Sequence, residues 1–188
     1  MSTRGGVESS ILVGVCTFGV PPSQDLIIGA IGLDYKDNFL ELNRLVVNDG
    51  LPRNALSFFV SGALKMLPRP MVVISYADSG QGHHGYIYQA TNWVYTGMSN
   101  PHTEYLPEGQ EGMHVRSLYK NFSVKTTKLK MVKVERSRKY RYFQFLGDKR
   151  QRRKMLHDLK FPIVKEYPKG DNVRYDASYE TSPCGVLF

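Results

Sequence analysis

The sequence predicts an α/β domain, because strands and helices alternate through the middle of the chain and its apolar content is that of a folded protein. Between residues 39 and 97, a strand, a helix, a second strand and a second helix follow one another, with loops between them. The chain has 188 residues, of which 41% are hydrophobic, and this suffices for a core. Layering of this kind places ligands at the carboxyl ends of the strands.

Three strands are predicted before the first long helix. Ile11–Phe18 and Leu26–Leu33 are rich in β-branched residues, and a turn that contains Pro21 and Pro22 separates them. Phe39–Val47 is the third strand, and it alternates between apolar and polar residues over part of its length.

Polar residues within this third strand need an explanation. Alternation places Glu41 and Asn43 on one face and Arg44 on the other. Burial of an unpaired charge is costly, so Arg44 requires a carboxylate, a ligand or solvent beside it. A structural ion pair and a place in a binding pocket both stay open for Arg44.

The first long helix is predicted over Ala55–Leu67, with its apolar residues on one stripe. Asn54 precedes it as an N-cap, and Pro68 ends it. Arg53 adds positive charge at the helix N-terminus, where backbone amides can bind phosphate. The segment therefore predicts either an ordinary cap or a phosphate site.

A second strand–loop–helix unit follows. Met71–Tyr76 is predicted to be a buried strand, and Asp78–His84 a glycine-rich loop. Tyr86–Thr96 is predicted to be a helix that Gly97 terminates. The unit contains the densest group of polar side chains in the chain.

Several of these polar side chains could carry chemistry. Tyr88, Asn92 and Tyr95 have the spacing of one helix face. Tyr88 could protonate a leaving group, and Asp78 could orient or deprotonate a nucleophile. The alternative is that the two tyrosines are core aromatics with satisfied hydroxyl groups.

His83 and His84, close to Asp78, raise the question of a metal site. Adjacent histidines on a loop seldom converge on one ion without a third fixed ligand, and their spacing matches no zinc motif. We therefore expect no resident metal, while a requirement for a divalent metal in the reaction stays open.

The C-terminal part is predicted to be a basic β-hairpin followed by a helix. Lys128–Val134 and Tyr140–Leu146 are the two strands, with a turn near Ser137. Asp148 caps a helix over Lys149–Lys160, whose buried stripe would be Met155, Leu156 and Leu159. A long polar loop precedes the hairpin, and an extended tail follows from residue 162.

Charge is distributed unevenly along the chain. Residues 1–115 carry 6 Lys/Arg and 10 Asp/Glu, a net charge of −4, whereas residues 116–174 carry 19 and 5, a net charge of +14. Concentrated positive charge with interleaved aromatic residues favours a polyanion such as double-stranded DNA over a solvated basic face. The candidate DNA contacts are Arg116, Arg138, Arg141, Arg150, Arg152 and Arg153.

The simplest organisation is one domain over residues 1–165, whose basic part is 116–165, and an extended tail over 166–188. No apolar run is long enough to cross a bilayer, and Ile11–Val20 lacks the flanks of a signal peptide. Two cysteines make no disulfide framework. We expect a cytoplasmic protein without membrane contact, and the oligomeric state stays open, a dimer included.

Five segments, in this order, resemble the Mom family of phage proteins that modify adenine in DNA. The ordered set is specific, although any one segment would be a weak signal. The segments are Leu42–Val47, Pro52–Ser57, Ile74–Asp78, Gly82-His83 and Ile87–Asn92, and the basic segment 138–165 is similar as well.

The resemblance implies a fold of the GNAT acyltransferase class, with a central mixed β-sheet flanked by helices and split strands that admit the donor. It implies conversion of adenine to a carbamoylmethyl (acetamido) adenine, which shields phage DNA from restriction in the bacterial host's cytoplasm. It assigns Asp78 and Tyr88 as the catalytic pair and makes Arg44, Ser57 and Tyr76 candidate pocket residues. We expect an aromatic ring to stack on the adenine extruded from the duplex, with Tyr76 as the first candidate, although packing at the end of its strand stays open for Tyr76. The other candidates are Tyr88, Trp93, Tyr95, Tyr105 and Tyr119.

The resemblance leaves the donor more open than the target. Acyl-CoA enzymes of the GNAT class carry a glycine-rich loop, whereas Leu51–Ser57 has no glycine after Arg53. The donor is therefore expected to be an acyl-CoA or another glycine-derived molecule, with an aminoacyl-tRNA as one alternative. The candidate donor contacts are Arg53, Asn54, Ala55, Ser57 and Asn92.

Two other functions are compatible with parts of the sequence. One is a GNAT acetyltransferase that acts on a protein or a small amine, and the charge asymmetry speaks against it. The other is a nucleic-acid-binding accessory protein without catalysis, and the polar cluster between Asp78 and Asn92 speaks against that.

Overall fold

A mixed β-sheet with helices on both faces forms the centre of the molecule in the computed structural model, which describes residues 12–109 and 130–170. The strands are β1 (Gly14–Gly19), β2 (Phe39–Val47), β3 (Met71–Asp78), β4 (Val94–Met98), β5 (His102–Pro107), β6 (Met131–Arg136) and β7 (Lys139–Leu146). The α-helices are α1 (Gln24–Ala30), α2 (Ala55–Met66), α3 (Tyr86–Ala90) and α4 (Lys149–Asp158). The predicted fold class, a mixed sheet flanked by helices, is confirmed.

The central sheet has the strand order β1-β2-β3-β7-β4, and β5 pairs with β6 in a separate two-stranded sheet. β2 and β3 are parallel, while the other neighbouring strands are antiparallel. The pairing of β2 with β3 runs from Phe39–Val72 to Glu41–Ile74. Both strands continue beyond this point, and the gap between their carboxyl halves positions the site.

Two apolar cores lie on opposite faces of this sheet. The core beneath α2 and α3 includes Val60, Val73, Trp93 and Tyr142. The core beneath α1 and α4 includes Ile27, Ile74, Phe143 and Met155. Consecutive residues of β3 alternate between the two cores, as the pleat of a strand buried on both faces requires.

The predicted strand Leu26–Leu33 is wrong, because this segment begins as helix α1. The side chain of Ser23 accepts a hydrogen bond from the backbone N–H of Asp25 at 3.2 Å and so caps the helix. Ile27 and Ala30 are then one turn apart and both buried. Burial of this stripe outweighs the β-propensity of the isoleucines.

The predicted helix Tyr86–Thr96 is also wrong in its second half. α3 is short, Asn92 adopts a left-handed conformation with φ of 60°, and β4 follows. Tyr95 lies in β4, where it pairs with Tyr142 of β7. Tyr88, Asn92 and Tyr95 therefore do not share a helix face, and pairing with β7 lets this segment bury its aromatic rings in the sheet.

Other predicted boundaries shift by a few residues. β1 begins at Gly14, β3 extends to Asp78, and β6 occupies Met131–Arg136 instead of Lys128–Val134. The predicted polar loop after β4 contains β5. Arg116, Tyr119, Lys128 and the end of this loop lie outside the described residues.

The predicted cap of the last helix is confirmed, with Asp148 and Gln151 forming a reciprocal capping box. Of the predicted stripe, Met155 is buried but Leu156 is 40% exposed. After α4 the chain has no regular structure up to residue 170, and it lies along β4, where Val164 N–H donates to the carbonyl oxygen of Tyr95 at 3.0 Å. The division of the chain at residue 165 stays a prediction. Within the described ranges, no helix is long and apolar enough to span a membrane.

Candidate active site

A cavity of about 590 Å³ opens at the carboxyl end of β3, where β2 and β3 have separated. Apolar side chains of β2, α2 and α3 form one part of its wall, namely Leu45, Val47, Leu56 and Ile87. Another part consists of polar side chains, namely Tyr76, Asp78, His83, His84, Tyr86 and Tyr88, and Ala77, Gly82 and Gly85 complete the wall. A cavity of this size, apolar with a few converging polar groups, is typical of a binding site for a small molecule or a nucleobase.

Asp78 and Tyr88, the pair predicted to be catalytic, both line this cavity. Tyr88 is only 8% exposed, and its hydroxyl oxygen lies 2.8 Å from Oγ of Ser75. The same Oγ lies 3.0 Å from the carbonyl oxygen of Leu42, which lies just past the point where β2 leaves β3. A buried serine thus links the phenol to the backbone of the neighbouring strand.

The environment of Tyr88 keeps its phenol protonated. Burial raises the pKa of Tyr88, and the nearby charge of Glu41 adds to this, while the hydrogen bond from Ser75 opposes it. The proton therefore stays on the oxygen at neutral pH, and the group can act as a donor or an acid.

The carboxylate of Asp78 is held by the loops around it. Its Oδ1 accepts from the backbone N–H of Gly80 at 2.9 Å and from the hydroxyl of Ser137. Its Oδ2 lies 4.0 Å from the Lys139 ammonium group, and the Asp78 side chain is 31% exposed. One oxygen is thus fixed by hydrogen bonds, and the other is the one a substrate could reach.

The loop between Asp78 and α3 is packed against the sheet at Gly85. Gly85 has φ of +83°, and a Cβ at this position would overlap the ring of Tyr142. The hydroxyl of Tyr142 donates to the carbonyl oxygen of His84. This packing fixes the two histidines on the cavity wall, and no group of three metal-ligating side chains occurs among residues 12–109 and 130–170.

Glu41 is a residue that sequence reasoning left without a role. It is the last residue of β2 that pairs with β3, and burial raises its pKa, against the effect of Lys139. Its charge adds to the rise in the pKa of Tyr76 and Tyr88 that burial causes. The signal in the sequence that could have indicated a role for Glu41 is its charge within an otherwise largely apolar strand.

Arg44, the other charged residue of β2, is exposed, and its guanidinium donates to the carbonyl oxygen of Asn43 at 3.1 Å. Solvent therefore satisfies its charge, which was one of the three options left by the sequence. The side chain is not among those that line the cavity. Its predicted place in a pocket stays a prediction.

The candidate donor contacts cluster at the start of α2. Asn54 is the N-cap residue of α2, as predicted, with φ of 69°, but its side chain makes no capping hydrogen bond. Instead the hydroxyl of Ser57 donates to the Asn54 carbonyl oxygen at 2.9 Å. Arg53 is exposed and Ala55 is partly buried, next to Leu56 on the cavity wall.

Asn92 lies apart from these residues. It is exposed in the turn between α3 and β4, away from the residues that line the cavity. Its predicted contact with the donor stays a prediction.

The predicted DNA contacts fall into separate places. Arg150, Arg152 and Arg153 are exposed near the start of α4, and Arg138 is exposed in the turn between β6 and β7. Arg141 is partly buried, and its guanidinium lies 3.4 Å from the centroid of the Phe161 ring.

Arg141 also donates to the side chain and the backbone of Thr96, at 3.0 and 3.1 Å. Desolvation by burial lowers its pKa, whereas the nearby tyrosines raise it. Its donors are therefore partly engaged within the protein.

Comparison of the sequence with known proteins identifies the family of the chain. Residues 5–169 match the model of the Mom protein family. Over 141 residues, the chain is 33% identical to a protein of Escherichia phage Mu named methylcarbamoylase mom; the match covers 70% of this chain and 56% of that protein. The chain thus spans little more than half the length of this relative. Since the family match covers most of the chain and every strand and helix around the cavity, the chain belongs to the Mom protein family.

Proposed function

We propose that this protein is a phage DNA-modification enzyme, a transferase that converts adenine in DNA to N6-carbamoylmethyl adenine. The observation that carries the proposal is that Asp78 and Tyr88 meet in one cavity, with an acid and a base in reach of the same space. The name of the phage Mu relative, a methylcarbamoylase, indicates the same class of transferred group. Protection of the phage genome from host restriction follows as the biological role.

The chemistry follows from the roles of the two side chains. The adenine amino nitrogen forms the new bond to the carbonyl carbon of a glycyl donor, and the bond from that carbon to the leaving group breaks, which gives N6-glycyl adenine. The glycyl amine then bonds to C6 of the adenine while the bond from C6 to the amide nitrogen breaks, and this isomerisation gives N6-carbamoylmethyl adenine. Asp78 accepts the proton that the amino group loses, and Tyr88 donates its proton to the leaving group. Oδ2 of Asp78 is the oxygen available for this, because Oδ1 is occupied by Gly80 and Ser137.

The donor is proposed to be an acyl-CoA or another glycine-derived molecule, an aminoacyl-tRNA included. The separation of β2 from β3 supports a GNAT-like entry path, because it opens the sheet between the cavity and the start of α2. Arg53 and the backbone amides of the first turn of α2 would meet the phosphates of either donor. This would leave the polar side of the cavity to the adenine.

Nucleoside mass spectrometry of DNA from bacteria that express the protein tests the proposal. We expect a modified adenine from the native chain and a loss of about 10²–10⁴-fold in rate for Asp78→Asn and for Tyr88→Phe, the range for removal of a general base or acid. Tyr105→Phe, at an exposed tyrosine of β5, is the matched control and should keep full modification.

Both substitutions preserve the size of the side chain, so circular dichroism and thermal unfolding should report a folded protein. Native levels of modified adenine in either folded variant would remove that residue from the mechanism. DNA without any modified adenine, from cells that contain the folded native chain, its donor and a susceptible sequence, would overturn the proposed function.

A further inference from the structure

The turn between β6 and β7 is packed on the polar rim of the cavity. Ser79 donates to the carbonyl oxygen of Arg138 from its backbone N–H at 3.2 Å and from its hydroxyl at 2.6 Å. The neighbouring Ser137 donates to Asp78. A Cβ at Gly80 would lie 2.7 Å from Cβ of Ser137, so this packing requires a glycine. The turn is therefore fixed to the loop that carries Asp78.

This turn places two positive charges beside the cavity. Arg138 is exposed, and its Nε donates to the carbonyl oxygen of Ser99 at 2.8 Å, which orients the side chain. Lys139 has a side chain that is 51% exposed and lies 4.0 Å from Asp78. Arg138 is thus available to an anion outside the protein, and Lys139, although it is paired with Asp78, keeps half of its side chain exposed.

Three other basic residues near these strands are engaged within the protein, while Lys133 of β6 is exposed but lies four residues before Ser137. Arg136 forms an ion pair with Glu104 at 2.6 Å, and Lys130 forms one with Glu108 at 2.8 Å. Arg141 is held by Thr96 and the Phe161 ring. The positive charge of this region that can meet a partner near Asp78 is therefore concentrated at the turn.

The arginines of α4 are too far away to take this place. β3 and β7 pair from Asp78–Lys139 to Met71–Leu146, and α4 follows Leu146. The α4 N-terminus thus begins at the opposite end of the sheet, roughly 20 Å from Asp78 at about 3.3 Å per strand residue. A phosphate next to a base held in the cavity is within reach of the turn and not of the first turn of α4.

We propose that the β6–β7 turn is the DNA-contacting rim of the site, where Arg138 and Lys139 bind the phosphates that flank the target adenine. The planar guanidinium of Arg138 matches the oxygens of a phosphate. Phosphate contacts fix the register of a protein on the duplex, and Ser137 connects this contact to Asp78. The inference rests on the proposed function and names the surface through which the DNA reaches the site.

The test combines variants of the protein with neutralised phosphates in the DNA. Binding of a duplex is measured by fluorescence anisotropy over a range of salt concentrations for the native chain, Arg138→Ala, Arg152→Ala and Lys65→Ala. Lys65 is exposed at the end of α2 and serves as a control with the same loss of charge. Methylphosphonates then replace single phosphates on either side of the adenine that mass spectrometry finds modified.

We expect Arg138→Ala to weaken binding several-fold and to reduce the log–log salt slope by about 0.9, the value for one bound phosphate. A methylphosphonate within two nucleotides of the target adenine should weaken binding of the native chain but not of Arg138→Ala. Arg138→Lys should recover part of the affinity, and Lys65→Ala should change neither quantity. Binding of Arg152→Ala should still be weakened by a methylphosphonate near the target adenine, and it should lose this sensitivity only for more distant phosphates.

An Arg138→Ala protein with the native salt slope, or one that stays sensitive to every phosphate near the target, would overturn this inference. The salt slope needs no modified base, so it decides the role of Arg138 even where catalysis is absent. Loss of the proposed function has a different signature, which is unmodified adenine with the native chain. The two failures are therefore distinguishable.

Discussion

Within residues 12–109 and 130–170, the hydroxyl of Tyr88 has one hydrogen-bonding partner, Ser75, and that partner decides where its proton points. The Leu42 carbonyl can only accept, so when Ser75 donates to it, Tyr88 donates to Ser75. When Ser75 donates to Tyr88 instead, the phenolic proton is directed into the cavity. A substrate atom that accepts this proton therefore needs only a rotation of two hydroxyl groups, with no movement of the backbone.

An aromatic side chain is also needed to hold a base that has left the duplex. Tyr86 is 59% exposed and lines the cavity, whereas Tyr76, the residue predicted from the sequence, is mostly buried with its pKa raised to about 12 by that burial. A stacking ring must present a free face, so the structure favours Tyr86 as the ring on which the extruded adenine stacks.

We expect Tyr86→Ala to lose about 1–3 kcal/mol of the stacking energy for the flipped base. With 2-aminopurine in place of the target adenine, the native protein should brighten the fluorescence on binding, and Tyr86→Ala should do so less. Tyr76→Ala is the comparison at the same cavity. A normal fluorescence rise for Tyr86→Ala, with a loss for Tyr76→Ala, would return the role to Tyr76.

At the scale of the elements, α4 offers a second basic surface. Its first two turns expose Arg150, Arg152 and Arg153, while Met155 holds the helix on the sheet. We expect replacement of all three arginines by alanine to weaken DNA binding and to lower the salt slope by about 0.9 for each phosphate that the helix no longer binds. Salt-dependent anisotropy measures this directly.

The triple variant should stay folded, because alanine is a strong helix former and the capping box of Asp148 and Gln151 is untouched. Circular dichroism checks this. A folded triple variant with the native salt slope would mean that α4 does not contact the duplex, and the rim at Arg138 would then be the principal DNA surface.

Elements also show how far the sequence could be interpreted. The spacing of apolar residues predicted β2, α2 and β3 closely, because each buries a face of regular period. The spacing gave the wrong element at Leu26–Leu33, because isoleucines that favour strands are spaced there to bury one helical stripe. It also gave the wrong element after α3, because the left-handed turn at Asn92 depends on the pairing of β4 with β7.

The residues of the candidate site likewise fall into those that the sequence could predict and those that it could not. Asp78 and Tyr88 flank one loop, so local sequence brought them together. The contact of Ser137 with Asp78 joins residues 59 positions apart and exists only because β7 pairs with β3. No local pattern predicts such a contact. The role of Glu41 likewise depends on where β2 leaves its neighbour.

On the scale of the whole molecule, ring contacts between tyrosines connect the central sheet with helix α3 and with the C-terminal segment. Tyr88 and Tyr95 each pack on the ring of Tyr142, at centroid distances of 5.0 and 5.2 Å, and Tyr167 from the C-terminal segment packs on the same ring. Burial raises the pKa of Tyr76, Tyr88 and Tyr142. An ionised phenolate in any of these places would be poorly solvated.

This predicts a limit to stability at alkaline pH. A tyrosine whose pKa is raised by folding favours the folded state fully below its ordinary pKa of about 10, and this contribution is lost as the pH rises through the raised value. For Tyr76, whose pKa is raised to about 12, the loss starts near pH 10. Urea unfolding between pH 8 and pH 11 should therefore show a flat region and then a steep decline that coincides with tyrosinate absorbance.

Tyr76→Phe isolates one part of this effect, because it keeps the ring and removes the ionisable hydroxyl. At pH 8 the variant should have nearly the native free energy of unfolding, whereas at pH 11 its decline should be smaller than that of the native chain by about 1 kcal/mol. Lysines and other tyrosines titrate equally in both proteins, so the difference between the two curves reports on Tyr76. Parallel curves across the whole range would show that the hydroxyl of Tyr76 ionises as easily in the folded protein as in the unfolded chain.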